Sequence, residues 1–135
     1  MKKTVLVGGC FDVLHWGHIS FLKKAKKMGN YLVVALESDE NVKCLKGSTR
    51  PIHNQKQRAE ILRSLRPVDK VIILPSLPDY LKLIRKVKPQ IIAATPKDAL
   101  LKNRRVYEKL GAKIVIIPKI KTASTTQIAK LLKIE

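Results

Sequence analysis

The sequence predicts an α/β fold, a five-stranded parallel sheet with helices on both faces. Three observations predict it. Short β-branched apolar runs alternate with stretches whose apolar residues recur every three or four positions. Glycine, proline or asparagine closes most of these segments. Strand and helix alternate along the chain, which calls for parallel pairing through right-handed crossovers and a sheet buried on both sides. With 135 residues, 45% of them hydrophobic, the chain can build a core without disulfide staples. It is expected to form one domain, residues 1–135.

The first strand is Val5 to Gly9. His18, Phe21, Leu22, Ala25 and Met28 make one face of a helix, which Gly29-Asn30 stops. Tyr31 to Leu36 is the second strand. Glu37 to His53 is polar and shows no clear period. Asn54 followed by Gln57 has the spacing of a capping box. The helix it opens should bury Ile61, Leu62 and Leu65 and end at Pro67. Val71 to Leu74 is the third strand. Pro78 suits the first turn of a helix whose stripe is Tyr80, Leu81, Ile84 and Val87, and Lys88-Pro89 breaks it. Ile91 to Ala94 is the fourth strand. Val106, Tyr107 and Leu110 mark a weaker helix closed by Gly111, and Ile114 to Ile117 is the fifth strand. Ser124-Thr125-Thr126-Gln127 repeats the capping-box spacing before a last stripe of Ile128, Leu131 and Leu132.

Charge narrows the function. Lys and Arg number 28 against 10 Asp and Glu, a net of +18, which attracts phosphates of every kind. The basic residues are scattered, and Lys23, Lys24, Lys26 and Lys27 fall between apolar positions as a solvated face would. Nucleic-acid binding is not expected as the main role, because this charge comes without a recognition motif. No apolar run approaches the ~20 residues of a membrane span. The start of the chain reads as a strand rather than a signal peptide, so a cytoplasmic protein is expected. Cys10 and Cys44 fit neither a disulfide framework nor a zinc site.

In a sheet of this kind ligands bind beyond the carboxyl ends of the strands, at the switch point in strand order. The loops to inspect are therefore 8–17, 37–53, 75–78, 94–98 and 118–124. The first reads Gly8-Gly9-Cys10-Phe11-Asp12-Val13-Leu14-His15-Trp16-Gly17-His18. Two glycines let backbone approach a ligand, and the helix beginning near Gly17 turns its free N–H groups and positive dipole end to the same loop. His15 and His18 flank that helix start, with Gly17 keeping the space between them open. A phosphate fits there. Ser124, Thr125 and Thr126 open the last helix, and their hydroxyls and free N–H groups make a second anion cradle.

The stretch from Gly9 to His18 resembles the signature of the cytidylyltransferase-like nucleotidylyltransferases. It is similar to that of glycerol-3-phosphate cytidylyltransferase, the heptose-1-phosphate adenylyltransferases and archaeal FAD synthetase. The likeness continues through Leu45-Lys46-Gly47, Arg50-Pro51-Ile52, Gln57-Arg58 and Val68-Asp69-Lys70-Val71 and ends at Ser124-Thr125-Thr126. It implies a Rossmann-like fold and one reaction: a phosphorylated acceptor attacks the α-phosphate of ATP or CTP, and pyrophosphate leaves without a covalent enzyme intermediate. By the same resemblance His15 and His18 bind the triphosphate and stabilise the transition state, and Lys46 reaches the phosphates, with Lys43 and Arg50 adding charge. Gly8, Gly9, Cys10, Phe11 and Gly17 belong to the nucleotide loop. Asp12 is expected to orient its neighbours or meet a cation or the acceptor. Arg58 serves structure or a phosphate, and Arg66 is expected, with Asp12, to orient or meet the acceptor, or to contribute at a dimer interface. Magnesium is expected with the triphosphate, and a homodimer is common among such relatives.

Two loops depart from the family. Lys119-Ile120-Lys121-Thr122 stands where the glycerol-phosphate enzyme has Arg-Thr-Glu-Gly. Ala93-Ala94-Thr95-Pro96-Lys97-Asp98 stands where relatives carry a Gly-Asp element. Both loops help hold base and sugar in the family, so the choice between CTP and ATP stays open. The alternative to an enzyme is a non-catalytic nucleotide- or nucleic-acid-binding protein on the same fold. Retention of both histidines, Lys46 and the Ser-Thr-Thr cradle favours the enzyme.

Overall fold

The computed structural model describes residues 1–119, 127 and 130–133. In chain order it contains β1 (Thr4–Gly9), α1 (Trp16–Lys27), β2 (Tyr31–Leu36), α2 (Asp39–Lys46), α3 (Gln55–Arg63), β3 (Lys70–Ile73), α4 (Tyr80–Val87), β4 (Ile91–Ala94), a 3-10 turn (Ala99–Asn103), α5 (Arg104–Lys109) and β5 (Lys113–Ile116). The five strands pair in parallel in the order β3-β2-β1-β4-β5. The expected Rossmann-like sheet is therefore present, and its switch point lies between β1 and β4.

Each strand serves two cores because successive side chains point to opposite faces. Val5 and Val7 of β1 pack with Leu32, Val34 and Leu36 of β2 against Leu22 and Ala25 of α1 and Ala59 and Leu62 of α3. Leu6, Val33 and Ala35 pack on the other face, with Leu83 and Ile84 of α4 and Tyr107 of α5. Asp69 fixes the entry to β3: its carboxylate accepts from the Leu32 N–H at 2.7 Å and pairs with Lys26. One of the expected solvated lysines is thus tied to the fold.

Several elements differ from expectation, each for a local reason. Residues 37–53 contain α2, which has a single buried residue, Val42. With so short an apolar face there is no period to read. Its signals are polar: the Ser38 hydroxyl caps it and Asp39 and Glu40 fill its first turn. In α3 the predicted cap of Asn54 and Gln57 forms, but Arg58, Ala59 and Leu62 are the buried face, and Ile61 is exposed. Pro78, expected in the first turn of α4, lies before its cap Asp79, and the buried residues of the helix include Leu83 in place of Leu81. Only Tyr107 of α5 is buried, while Val106 and Leu110 are exposed. Leu131 and Leu132 are exposed too, and Ser124, Thr125, Thr126 and Ile128 lie outside the described residues.

Arg58 is fully buried, and its guanidinium joins three loops. Nη1 donates to the Cys10 carbonyl at 2.8 Å, Nε to the His53 carbonyl at 3.0 Å, and Nη2 to the Asp39 carboxylate at 2.7 Å. Arg58→Leu keeps the apolar stem but leaves two carbonyls without their donors. A loss of about 3 kcal/mol is expected, read as a lowered urea midpoint at unchanged slope.

Candidate active site

A cleft of about 710 Å³ opens over the carboxyl ends of β1 and β4, where the strand order places it. Its floor is loop 1, from Gly8 to His18. Gly9 is required there by packing: an added Cβ would lie 2.8 Å from the Phe11 ring, which is buried over it. Packing against Phe11 thus constrains this glycine in addition to the expected approach of a ligand. Phe11 and Val13 both have positive φ, 47° and 55°, a region that non-glycine residues avoid. Two anchors hold them. One is Arg58 at the Cys10 carbonyl. The other is the buried Asp12 carboxylate, which accepts from Arg50 Nε at 2.8 Å and from the N–H groups of Ile52 and His53 at 2.7 and 3.0 Å. Burial alone would raise the Asp12 pKa, but the two N–H groups and the guanidinium outweigh it and hold it below its ordinary value. Asp12 is thus the orienting residue of the expected alternatives.

The two histidines build the start of α1. His15 is the N-cap, and its Nδ1 accepts from the Gly17 N–H at 3.0 Å. His18 Nδ1 accepts from the His15 N–H at 3.2 Å, which closes a capping box. With both Nδ1 atoms used as acceptors, each neutral ring carries its proton on Nε2 and has one N–H donor to offer the cleft. The ring centroids are 4.0 Å apart. Burial, the neighbouring His15 and Lys46 push the His18 pKa down to about 4. Burial and Lys46 lower that of His15. The first turn of α1 has no acidic side chain, so its positive end is not neutralised locally.

Lys46 ends α2 and lines the same cleft. The chain turns away from it at Gly47, whose φ of 117° only glycine adopts freely. Cys10 lies between the charged groups. Burial pushes its thiol pKa up against the opposing charge of Lys46, which disfavours the thiolate. Gly8, Gly9, Cys10, Phe11, Asp12, His15, Gly17, His18 and Lys46 all line the cleft. Arg66 does not. It is exposed in the connection from α3 to β3, at the amino ends of the strands, away from the site.

This combination of fold and signature matches known proteins. Residues 6–131 match the family model described as cytidylyltransferase-like. The chain belongs to the cytidylyltransferase-like family. Bifunctional protein HldE of Desulfatibacillum aliphaticivorans is 40% identical over 129 residues, covering 94% of this chain and 26% of that protein. HldE of Campylobacter concisus is 42% identical over 136 residues, covering 98% and 27%. The chain therefore spans about a quarter of the length of these relatives. A solved structure, the lipopolysaccharide core biosynthesis protein of Thermoplasma volcanium, aligns with a TM-score of 0.74 at 31% identity, over 90% of this chain and 99% of that one.

Sequence reasoning named the loops of this cytidylyltransferase-like cleft but missed several of its residues. Glu37 follows β2, is buried, and accepts from the Tyr80 hydroxyl and from Asn41 Nδ2 at 2.9 Å. Asp98 follows β4. Burial raises its pKa, the Leu100 N–H opposes the rise, and the charge of Glu37 adds to it. The signal for both was their place just beyond a strand's carboxyl end.

The capping role of the histidines separates structure from chemistry. Asparagine places an oxygen near the position of Nδ1 and is itself a good N-cap. His15→Asn should keep the melting temperature while removing the Nε2 donor, whereas His15→Ala should also lose about 1 kcal/mol of stability. Stability of the ligand-free protein should report His18. Unfolded chains protonate histidine near 6.5, and the folded ring resists until about pH 4. Between these values the unfolded state binds more protons, so stability rises with pH across that window and is lost on acidification. His18→Asn should flatten the loss in urea titrations between pH 7 and 4. The contribution of Asp12 falls at lower pH, because its shift is downward from 3.8.

Proposed function

We propose that this chain transfers a nucleoside monophosphate from a nucleoside triphosphate to a small phosphorylated acceptor and releases pyrophosphate. One observation carries the reading. Two imidazole Nε2–H donors, the positive end of α1 and Lys46 meet in one cleft at the switch point of the sheet. An acceptor phosphate oxygen attacks the α-phosphorus, and the bond to the β-phosphate oxygen breaks with its electron pair leaving on pyrophosphate. The attacking oxygen is already anionic, so no general base is needed. The chain's contribution is positioning and charge stabilisation. Neutral imidazoles serve as fixed hydrogen-bond donors to the phosphoryl oxygens, and Lys46 supplies full charge.

ATP is the proposed donor. The Lys46-Gly47, Arg50-Pro51-Ile52 and Gln57-Arg58 run resembles the heptose and FAD enzymes, and CTP is the alternative the assay must compare. A sugar phosphate is the proposed acceptor, in keeping with the solved relative named for lipopolysaccharide core biosynthesis. Magnesium is proposed to arrive with the triphosphate as part of the substrate. Among the described residues no group of three or more His, Cys, Asp or Glu could hold a metal ion. Ser124, Thr125 and Thr126 are proposed to contact the phosphates, and the cytoplasm, where nucleotides are plentiful, is the proposed compartment. No helix among the described residues is long and apolar enough to cross a membrane. A homodimer is the proposed assembly.

The test is pyrophosphate release from ATP and from CTP with sugar phosphates, glycerol phosphate and FMN as acceptors. Turnover with ATP and a sugar phosphate is expected. His18→Asn should lower it roughly 100- to 1,000-fold, the cost of one transition-state donor. Lys46→Ala should lower it at least as much while leaving any weak nucleic-acid retention unchanged. If no acceptor supports turnover and a short DNA or RNA binds tightly at physiological salt, the chain is a binding protein instead.

A further inference from the structure

Arg50 is 3% exposed, and its two edges are not alike. Nε pairs with Asp12, whose other contacts are the two backbone N–H groups already described. Nη2 is buried with no hydrogen-bond partner. A buried guanidinium nitrogen left unpaired carries a desolvation cost that native structures rarely leave uncompensated. Arg50 lines the cleft, and it also lines a neighbouring groove of about 620 Å³ bounded by α2 and loop 48–57. Arg50 is the one residue that the two cavities share.

We infer that Arg50 is an oxyanion ligand whose partner is the monoester phosphate of the acceptor, held with its uncharged end toward Glu37. The inference rests on the nucleotidyl-transfer reading. Three features set the identity and direction of the ligand. First, Arg50 is already paired with Asp12, so it offers directed donors but little net charge. That suits a monoester nucleophile, which must be positioned without being quenched, better than a triphosphate, which must be neutralised. Second, the imidazole donors and the end of α1 lie on loop 1, whereas Arg50 reaches the cleft from the β2 side, as Lys46 does. Third, the cleft carries two carboxylates, although Lys97 and Lys119 line it too. Glu37 stands there without a cationic hydrogen-bond partner, held by Tyr80 and Asn41, and Asp98 lines the same cleft. Hydroxyl groups satisfy those carboxylates, and a second phosphate is repelled by them. Arg50 and Glu37 line the same cleft, so a polyol monophosphate seated there meets both.

The experiment fills the triphosphate site first. Protein saturated with a non-hydrolysable ATP analogue is titrated with inorganic phosphate and with glycerol 3-phosphate, and heat and the 15N resonances of the Arg50 guanidinium are followed. In the unaltered protein the probe should bind on top of the analogue and shift the Arg50 resonances. Arg50→Lys keeps a charge for Asp12 but cannot present a second donor edge. It should weaken the probe roughly 10- to 100-fold, the worth of a charged hydrogen bond, with analogue affinity within about twofold. Arg50→Gln keeps a donor for Asp12 but no charged edge, and it should weaken the probe at least as much. Unmoved Arg50 resonances, a probe that ignores both variants, or a loss of analogue binding in place of probe binding each overturn the assignment. Failure of the analogue to bind the unaltered protein would instead sink the nucleotidyl-transfer reading itself.

Discussion

The cleft exists because a loop is held in a conformation that its own residues disfavour. Phe11 and Val13 sit at positive φ, and a β-branched valine there costs on the order of 1–3 kcal/mol. Two arginines from outside the loop impose it. Arg58 reaches from α3 to the Cys10 carbonyl, and Arg50 with the backbone of 52–53 fixes the Asp12 carboxylate. The consequence lies at Phe11, whose ring turns inward over Gly9 and meets His18 edge-on at 5.5 Å. That contact and the capping box fix the imidazole from two directions. A change at Arg58 therefore acts on the site through the backbone of loop 1, without touching a ligand.

The strands and the histidine loop were legible because each rests on a local pattern. Val5–Gly9 and Tyr31–Leu36 are apolar throughout, and their pairing leaves two buried faces that match. His15 and His18 were legible as a pair because they flank a helix start across Gly17, although their use of Nδ1 for capping became visible only in three dimensions. Arg58 shows what was not legible. At a helix position of ordinary period a buried arginine and an exposed one read alike, and only the approach of loop 1 and Asp39 decides between them. Glu37 is similar: an acid in a strongly basic chain reads as surface until its place beneath Tyr80 is known. The α2 helix was hidden for the opposite reason, since it has caps and charges but almost no apolar face.

Net charge also reads differently at the site than along the chain. A balance of +18 describes the surface as a whole and does not carry into the cleft unchanged. There the histidines are kept neutral by burial and by Lys46, Arg50 is offset by Asp12, and Glu37 and Asp98 add negative charge on the same walls. The cleft is mixed in sign, since Lys97 and Lys119 line it together with Lys46, Glu37 and Asp98.

Such a mixture with neutral donors accomplishes what uniform positive charge could not. A strongly basic pocket would bind triphosphate in any register and would bind pyrophosphate, the product, as firmly as the substrate. Neutral N–H donors on rigid rings discriminate by direction, because a hydrogen bond weakens steeply when misaligned. On the proposed reading they strengthen as charge gathers on phosphoryl oxygens, which is the condition for accelerating a reaction rather than merely holding its substrate. The low pKa of His18 is then a functional consequence of the same burial and capping that place the ring. Loop 1 supplies an orienting donor at the price of acid stability, and the long-range charge of the chain is left to draw anions toward the cleft.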